Sequence, residues 1–168
     1  FPAINWLNSY SLYTDVLGEY WDEKYDGEWS MQRIEAMSLL EEESQLLEVV
    51  RLVGIDALSR EERLVLETAK SIREDFLHQN AFHEVDTYAS MDKQFKMLRN
   101  ILTFHHAAKD ALRRGADIKK LFELPVRENI ARMRYVSEDK LDSLDQLEAE
   151  IRSQINKIIP TGGDNYAA

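Results

Sequence analysis

Apolar residues recur at helical spacing along most of the chain, and the interruptions fall where helices start and stop. Between Glu28 and Val53, the residues Met31, Ile34, Leu39, Leu46, Leu47, Val50 and Val53 form a broad apolar stripe. That pattern predicts a long amphipathic helix. Gly54 follows it and suits a left-handed stop. Ser59, with Glu62 three residues on, has the form of a capping box. The helix it opens carries Val65, Ala69, Ile72 and Phe76 and fades near His78. His78 to Ala89 reads as a loop of mixed polarity. Ser90 then caps a helix with Met91, Phe95, Leu98, Leu102 and His105 along one face, ended by Gly115. A short helical piece, Asp117 to Leu124, stops at Pro125. A further helix starts there with proline in its first turn and Val126, Ile130 and Met133 inward. Ser137 caps the last helix, which shows Leu141, Leu144, Leu147, Ile151, Ile155 and Ile158 before Pro160 and Thr161-Gly162-Gly163 end it. No internal repeat or long linker divides the chain. The expected fold is all-α, an antiparallel helical bundle.

The first 29 residues break the period. They hold eight of the 16 aromatics, Phe1, Trp6, Tyr10, Tyr13, Tyr20, Trp21, Tyr25 and Trp29, so an irregular packed segment is expected there. So aromatic a segment should lie on the helical body or on a neighbour. The expected organisation is an aromatic segment over 1–29, a helical domain over 30–159 and a tail over 160–168.

Composition narrows the chemistry. Of 168 residues, 44% are hydrophobic, enough for a core despite 31% charged residues. A formal net charge of −10 argues against general nucleic-acid binding, which needs excess Lys and Arg. The absence of cysteine excludes disulfides and thiolate chemistry. No stretch is long and apolar enough to span a membrane. The opening Phe1-Pro2-Ala3 is neither a usual start nor a signal peptide, and a piece of a longer protein is expected.

Charge is unevenly placed. Asp15 to Glu48 holds 11 acids and two bases. Within it, Glu41-Glu42-Glu43 is either a solvated helix face or an electrostatic guide for a basic partner helix.

A search for catalytic patterns finds no P-loop, no G-x-G-x-x-G and no G-x-S-x-G. His83-Glu84 opens like a zinc motif, but Thr87 stands where the second histidine belongs. His105 and His106 are adjacent and point about 100° apart on a helix, so they do not chelate together. His105 reads as a hydrogen-bonded core histidine. No catalytic residue and no metal ligand is expected. Two loops stand out instead. Gly54 to Arg63 is a charged turn between long helices. Gln79 to Tyr88 places an aromatic among polar amides, where Phe82 is either a core plug or one wall of a slot for a flat ring.

Three stretches carry a family resemblance. They are Phe1-Pro2-Ala3-Ile4-Asn5-Trp6-Leu7-Asn8-Ser9-Tyr10-Ser11-Leu12-Tyr13, then Leu52-Val53-Gly54-Ile55-Asp56-Ala57-Leu58-Ser59, and Arg73 through Tyr88. Together they make the chain resemble the C-terminal region of the catalytic A subunit of A/V-type rotary ATP synthases. The order and spacing also resemble the more distant F-type beta subunit.

The resemblance implies that Phe1 and Phe82 flank the adenine of ATP or ADP, with Gln79, Asn80 and Ala81 beside the ring. It implies that Ile55, Asp56, Ala57, Leu58, Ser59 and Arg60 form the tip that meets the central stalk. The tip departs from the acidic F-type pattern, with Ala57 in place of an acid and Arg60 and Arg63 among the acids. Implied partners are the non-catalytic B subunits, the central-stalk subunit and the chain's own nucleotide-binding domain. The implied location is cytoplasmic, in the soluble head of an ion-translocating complex peripheral to the membrane. The family's P-loop, its water-activating glutamate and its magnesium ligands match nothing in this sequence. ATP or ADP with Mg is therefore a ligand of the intact subunit, and no cofactor is expected for this chain alone. A rival reading is a free-standing acidic helical adaptor for a basic helix.

Overall fold

The computed structural model describes residues 22–77 and 89–161, and no strand occurs among them. Helix α1 runs from Glu28 to Val53. Its start is fixed by Asp26 and Gly27, both at positive φ, and by Asp22, whose Oδ1 accepts from the Ser30 amide at 2.8 Å. Its end is Gly54, at φ 90° and ψ 165°. A single 3-10 turn, Ile55–Ala57, leads to helix α2, Arg60–Ser71. The expected capping box is present: Ser59 Oγ accepts from the Glu62 amide at 3.1 Å, and Ser59 N donates to Glu62 Oε1 at 2.9 Å. Beyond Ser71 the helix widens into π geometry over Ile72–Leu77.

Helix α3, Met91–Arg113, starts at Ser90, whose hydroxyl accepts from the Lys93 amide at 3.1 Å. Thirteen of its residues are buried, from Lys93 to Leu112, so it is covered on most of its circumference and forms the axis of the core. Gly115, at φ 94°, lets the Ala116 amide turn back to the Ala111 carbonyl at 2.9 Å. Two short helices follow, α4 (Ile118–Phe122) and α5 (Val126–Ala131), with Pro125 one position ahead of α5. Helix α6, Asp142–Lys157, closes the fold.

Packing is ordered around α3. α6 lies along one side of it and α2 along another, while α1 packs mainly on α2. α2 runs opposite to α3, because Thr68 pairs with His105 and Glu61 with Arg113. Leu144, Ile151 and Ile155 of α6 are fully buried. Asn100 of α3 is also fully buried, and its Nδ2 donates to the Leu144 carbonyl at 2.9 Å. Lys93 is buried and donates to the Arg134 carbonyl at 2.6 Å, pinning the 3-10 turn Met133–Tyr135 to α3.

Three expectations change. In the α1 stripe, Leu39 and Leu46 are buried, but Met31, Ile34, Leu47 and Val53 face outward. The buried set is instead Trp29, Ala36, Leu39, Leu40, Glu43 and Leu46. Apolar residues lie on more than one side of α1, and the packing of α2 decides which side is inside. Second, Glu43 is not part of a solvated acidic face; only Glu41 and Glu42 are exposed. Third, Ser137 makes no side-chain cap, because a 3-10 turn, Glu138–Lys140, intervenes before α6.

Of the expected aromatic segment, Tyr25 and Trp29 lie within the described residues. Tyr25 stacks on Phe95 of α3 with ring centroids 3.9 Å apart, and Trp29 is buried.

Candidate functional site

The turn between α1 and α2 is built by backbone geometry first. The Gly54 amide bonds to the Val50 carbonyl at 2.8 Å, and the Leu58 amide to the Ile55 carbonyl at 3.0 Å. Leu58 then extends and inserts its side chain into the core, at 6% exposure. Ser59 begins α2 with both bonds of the capping box. Every backbone reversal in the turn is thus closed by a hydrogen bond, and a buried leucine anchors it.

Of the six residues expected at the tip, Ile55, Asp56, Ala57, Ser59 and Arg60 are exposed, and Leu58 is not. Leu58 holds the turn rather than presenting it. Two residues outside that expected set, Leu52 and Val53, are more exposed than Ile55, at 75% and 67%. The sequence marks the glycine stop between Val53 and Ile55, but not which of these side chains stays outside. Most charges around the turn are paired, Arg60 excepted. Asp56 meets Arg63 at 3.4 Å, Glu61 meets Arg113 at 3.4 Å, and Glu48 meets Arg51 at 2.5 Å.

The expected adenine-side residues Phe1, Gln79, Asn80, Ala81 and Phe82 lie outside the described residues, as does the remainder of the aromatic segment before Asp22. The π turns Ile72–Leu77 lead toward Gln79–Phe82. They are tied at two points. Arg73 donates from Nε and Nη2 to both carboxylate oxygens of the buried Glu43 on α1, at 2.9 and 2.8 Å. That hydrogen bond raises the Arg73 pKa further, outweighing partial burial. Arg134 donates to the Glu74 carbonyl at 2.9 Å, a carbonyl on the widened turns. Asp75 beside it is raised above the ordinary carboxylate range by burial and by the Glu74 charge.

His105 is the core histidine its place on the α3 face predicts. Its Nδ1 lies 2.6 Å from Thr68 Oγ1, and burial pushes its pKa down to about 4. His106, the next residue on the helix, pairs with Glu35 of α1. That bond raises the histidine and lowers the carboxylate. Among the described residues no three His, Asp or Glu side chains converge as a metal site would require. Among them also, no helix is long and apolar enough to cross a membrane. What the described residues supply here is a shaped, hydrogen-bonded turn that faces outward.

Comparison with known proteins agrees with the motifs. The family described as the C-terminal domain of V and A type ATP synthase matches residues 18–122. The V-type ATP synthase alpha chain of Clostridium perfringens is 55% identical over 163 residues, covering 97% of this chain and 28% of that protein. Its counterpart from Thermoanaerobacter pseudethanolicus is 56% identical over 162 residues, 96% of this chain and 28% of that protein. For Acetivibrio thermocellus the values are 55% over 160 residues, 95% and 27%. The chain spans less than a third of the length of these relatives. With a matched family covering most of its helices and relatives at this identity, the chain belongs to the C-terminal domain family of V- and A-type ATP synthases.

Proposed function

We propose that this chain is the mechanical domain of a rotary ATP synthase alpha chain. In the complete subunit it couples nucleotide binding, and ATP hydrolysis or synthesis, to rotation of a central stalk and so to proton or sodium translocation. The α1–α2 turn meets the stalk, and Phe1, Gln79, Asn80, Ala81 and Phe82 complete the adenine side of the nucleotide site. Non-catalytic B subunits flank it in the head of the complex, which sits in the cytoplasm against the membrane.

The observation that carries this reading is the turn itself: hydrogen-bonded at each reversal, capped, anchored by Leu58, yet exposed on its outer side. A stiff element transmits displacement where a soft one absorbs it. Phosphoryl transfer depends on groups that position and neutralise the phosphates, and those belong to the rest of the subunit. Nucleotide binding shifts the domain relative to them, and stalk rotation shifts nucleotide affinity by the same coupling free energy.

A nucleotide titration of this chain beside the complete alpha chain tests the reading. Binding is expected only in the latter, and Phe82→Ala there is expected to weaken it. ATP cleavage by the 168-residue chain alone would overturn the assignment.

A further inference from the structure

We propose that the α1–α2 turn engages its partner through an uncharged apolar surface made by Leu52, Val53 and Ile55, and not through its charged side chains. The inference rests on the reading of this turn as a partner contact, and it names the chemistry of that contact.

Exposure is the first observation. Leu52, Val53 and Ile55 are 75%, 67% and 50% exposed and fall within four consecutive residues. Three large apolar side chains exposed within so short a stretch gain by being covered. The second observation is charge. Residues 48–63 carry four acids and three bases, and Arg113 of α3 adds a fourth base against Glu61. The turn is therefore neutral within a chain of net charge −10. Its acids are also occupied. Glu48, Asp56 and Glu61 each face an arginine, and the Glu62 carboxylate accepts from the Ser59 amide. Among the described residues Arg60 is the turn's one charged side chain with no ion pair or hydrogen bond to its charge, so a charged partner finds no net charge and one single base to complement. It matches a partner face that is apolar and uncharged, such as the aliphatic side of a helix.

The turn is also preformed, so little ordering accompanies contact. Apolar attraction is non-directional. A partner can slide or turn across such a surface without breaking specific pairs, whereas ion pairs would hold it in one register.

The test uses the complete alpha chain assembled with its partner subunits. One variant carries Leu52→Ser, Val53→Ser and Ile55→Ser; a second carries Arg51→Gln, Asp56→Asn and Arg60→Gln; a third lacks residues 55–57. Affinity of the assembled head for the central-stalk subunit, and ATP-driven rotation, are read at low and high salt. All three serine positions are exposed, and circular dichroism with thermal melting checks that the variant folds. The apolar variant is expected to bind the stalk roughly tenfold more weakly or worse. The charge variant should bind as the parent does, with no loss at high salt. A salt-dependent loss in the charge variant, with the apolar variant unaffected, overturns the proposal. If the apolar variant is unaffected and the deletion uncouples, the turn is a contact but not an apolar one. If the deletion itself leaves rotation intact, the contact reading fails as well. Self-association of the parent chain that the serine variant abolishes would assign the surface to a second copy and also overturn it.

Discussion

Glu43 is buried on α1, and its two carboxylate oxygens are taken by Arg73, thirty residues away on the π turns. The pair is lopsided: the arginine side chain is 39% exposed and the glutamate 8%. Arg73→Ala strands a buried carboxylate, while Glu43→Ala leaves a guanidinium that can still reach water. Removing one partner of a fully buried pair costs about 3–5 kcal/mol, and the exposure of Arg73 reduces that. Expected losses are about 2 kcal/mol for Arg73→Ala and about 1 kcal/mol for Glu43→Ala. Urea unfolding measures both, and equal losses would contradict the asymmetry.

Gly54 sits at φ 90° and ψ 165°, with no atom within 4 Å of where a Cβ would stand. Gly54→Ala therefore meets no clash and suffers only backbone strain, about 1–3 kcal/mol. A lower melting temperature is expected. An unchanged one would mean that the turn has a second backbone solution.

Ser59→Ala removes one bond of the capping box and should cost about 1 kcal/mol. Amide exchange at Glu62 reports the loss locally, and it should rise more than exchange in α3. Uniform change across both helices would place the effect elsewhere.

Two neighbouring histidines should titrate in opposite directions. Burial holds His105 at about 4 against 6.5 in the unfolded chain. The unfolded state thus binds the extra proton between those values. The stability this group contributes is complete above pH 6.5 and is lost as pH falls toward about 4, on the order of 3 kcal/mol. His106 is raised by its hydrogen bond with Glu35. Its contribution is complete below 6.5 and fades as pH rises through the raised value. That pair is solvent-exposed, so its effect is small. Imidazole resonances followed by NMR separate the two. A His105 ring that titrates near neutral pH would refute the assignment, and His105→Gln should flatten the acid limb of the stability curve.

Much of the fold was legible because its signals are local. The span Glu28–Val53, the Ser59–Glu62 box, the Ser90 cap and the Gly115 stop all follow from residues within one turn of each other. His105 was legible too, since its position on the α3 face placed it inward. Ser137 misled because a hydroxyl before acidic residues suits a 3-10 turn as well as an α-helix start. The outward direction of Met31, Ile34, Leu47 and Val53 was not legible. A helix with apolar residues on several sides can bury any one of them.

Sequence alone determined that the fold is helical, where its long helices start at Glu28, Ser59 and Ser90, and the family to which the chain belongs, because periodicity, caps and motif order are written in neighbouring residues. Only the tertiary structure decided that Glu43 is buried, that Leu58 anchors the turn, and that Leu52, Val53 and Ile55 are left outside it. Those outcomes depend on which face of α1 meets α2 and on an arginine brought in from a distant segment. Burial is a property of what lies opposite a side chain, and along α1, apolar on several sides, no local pattern encodes that.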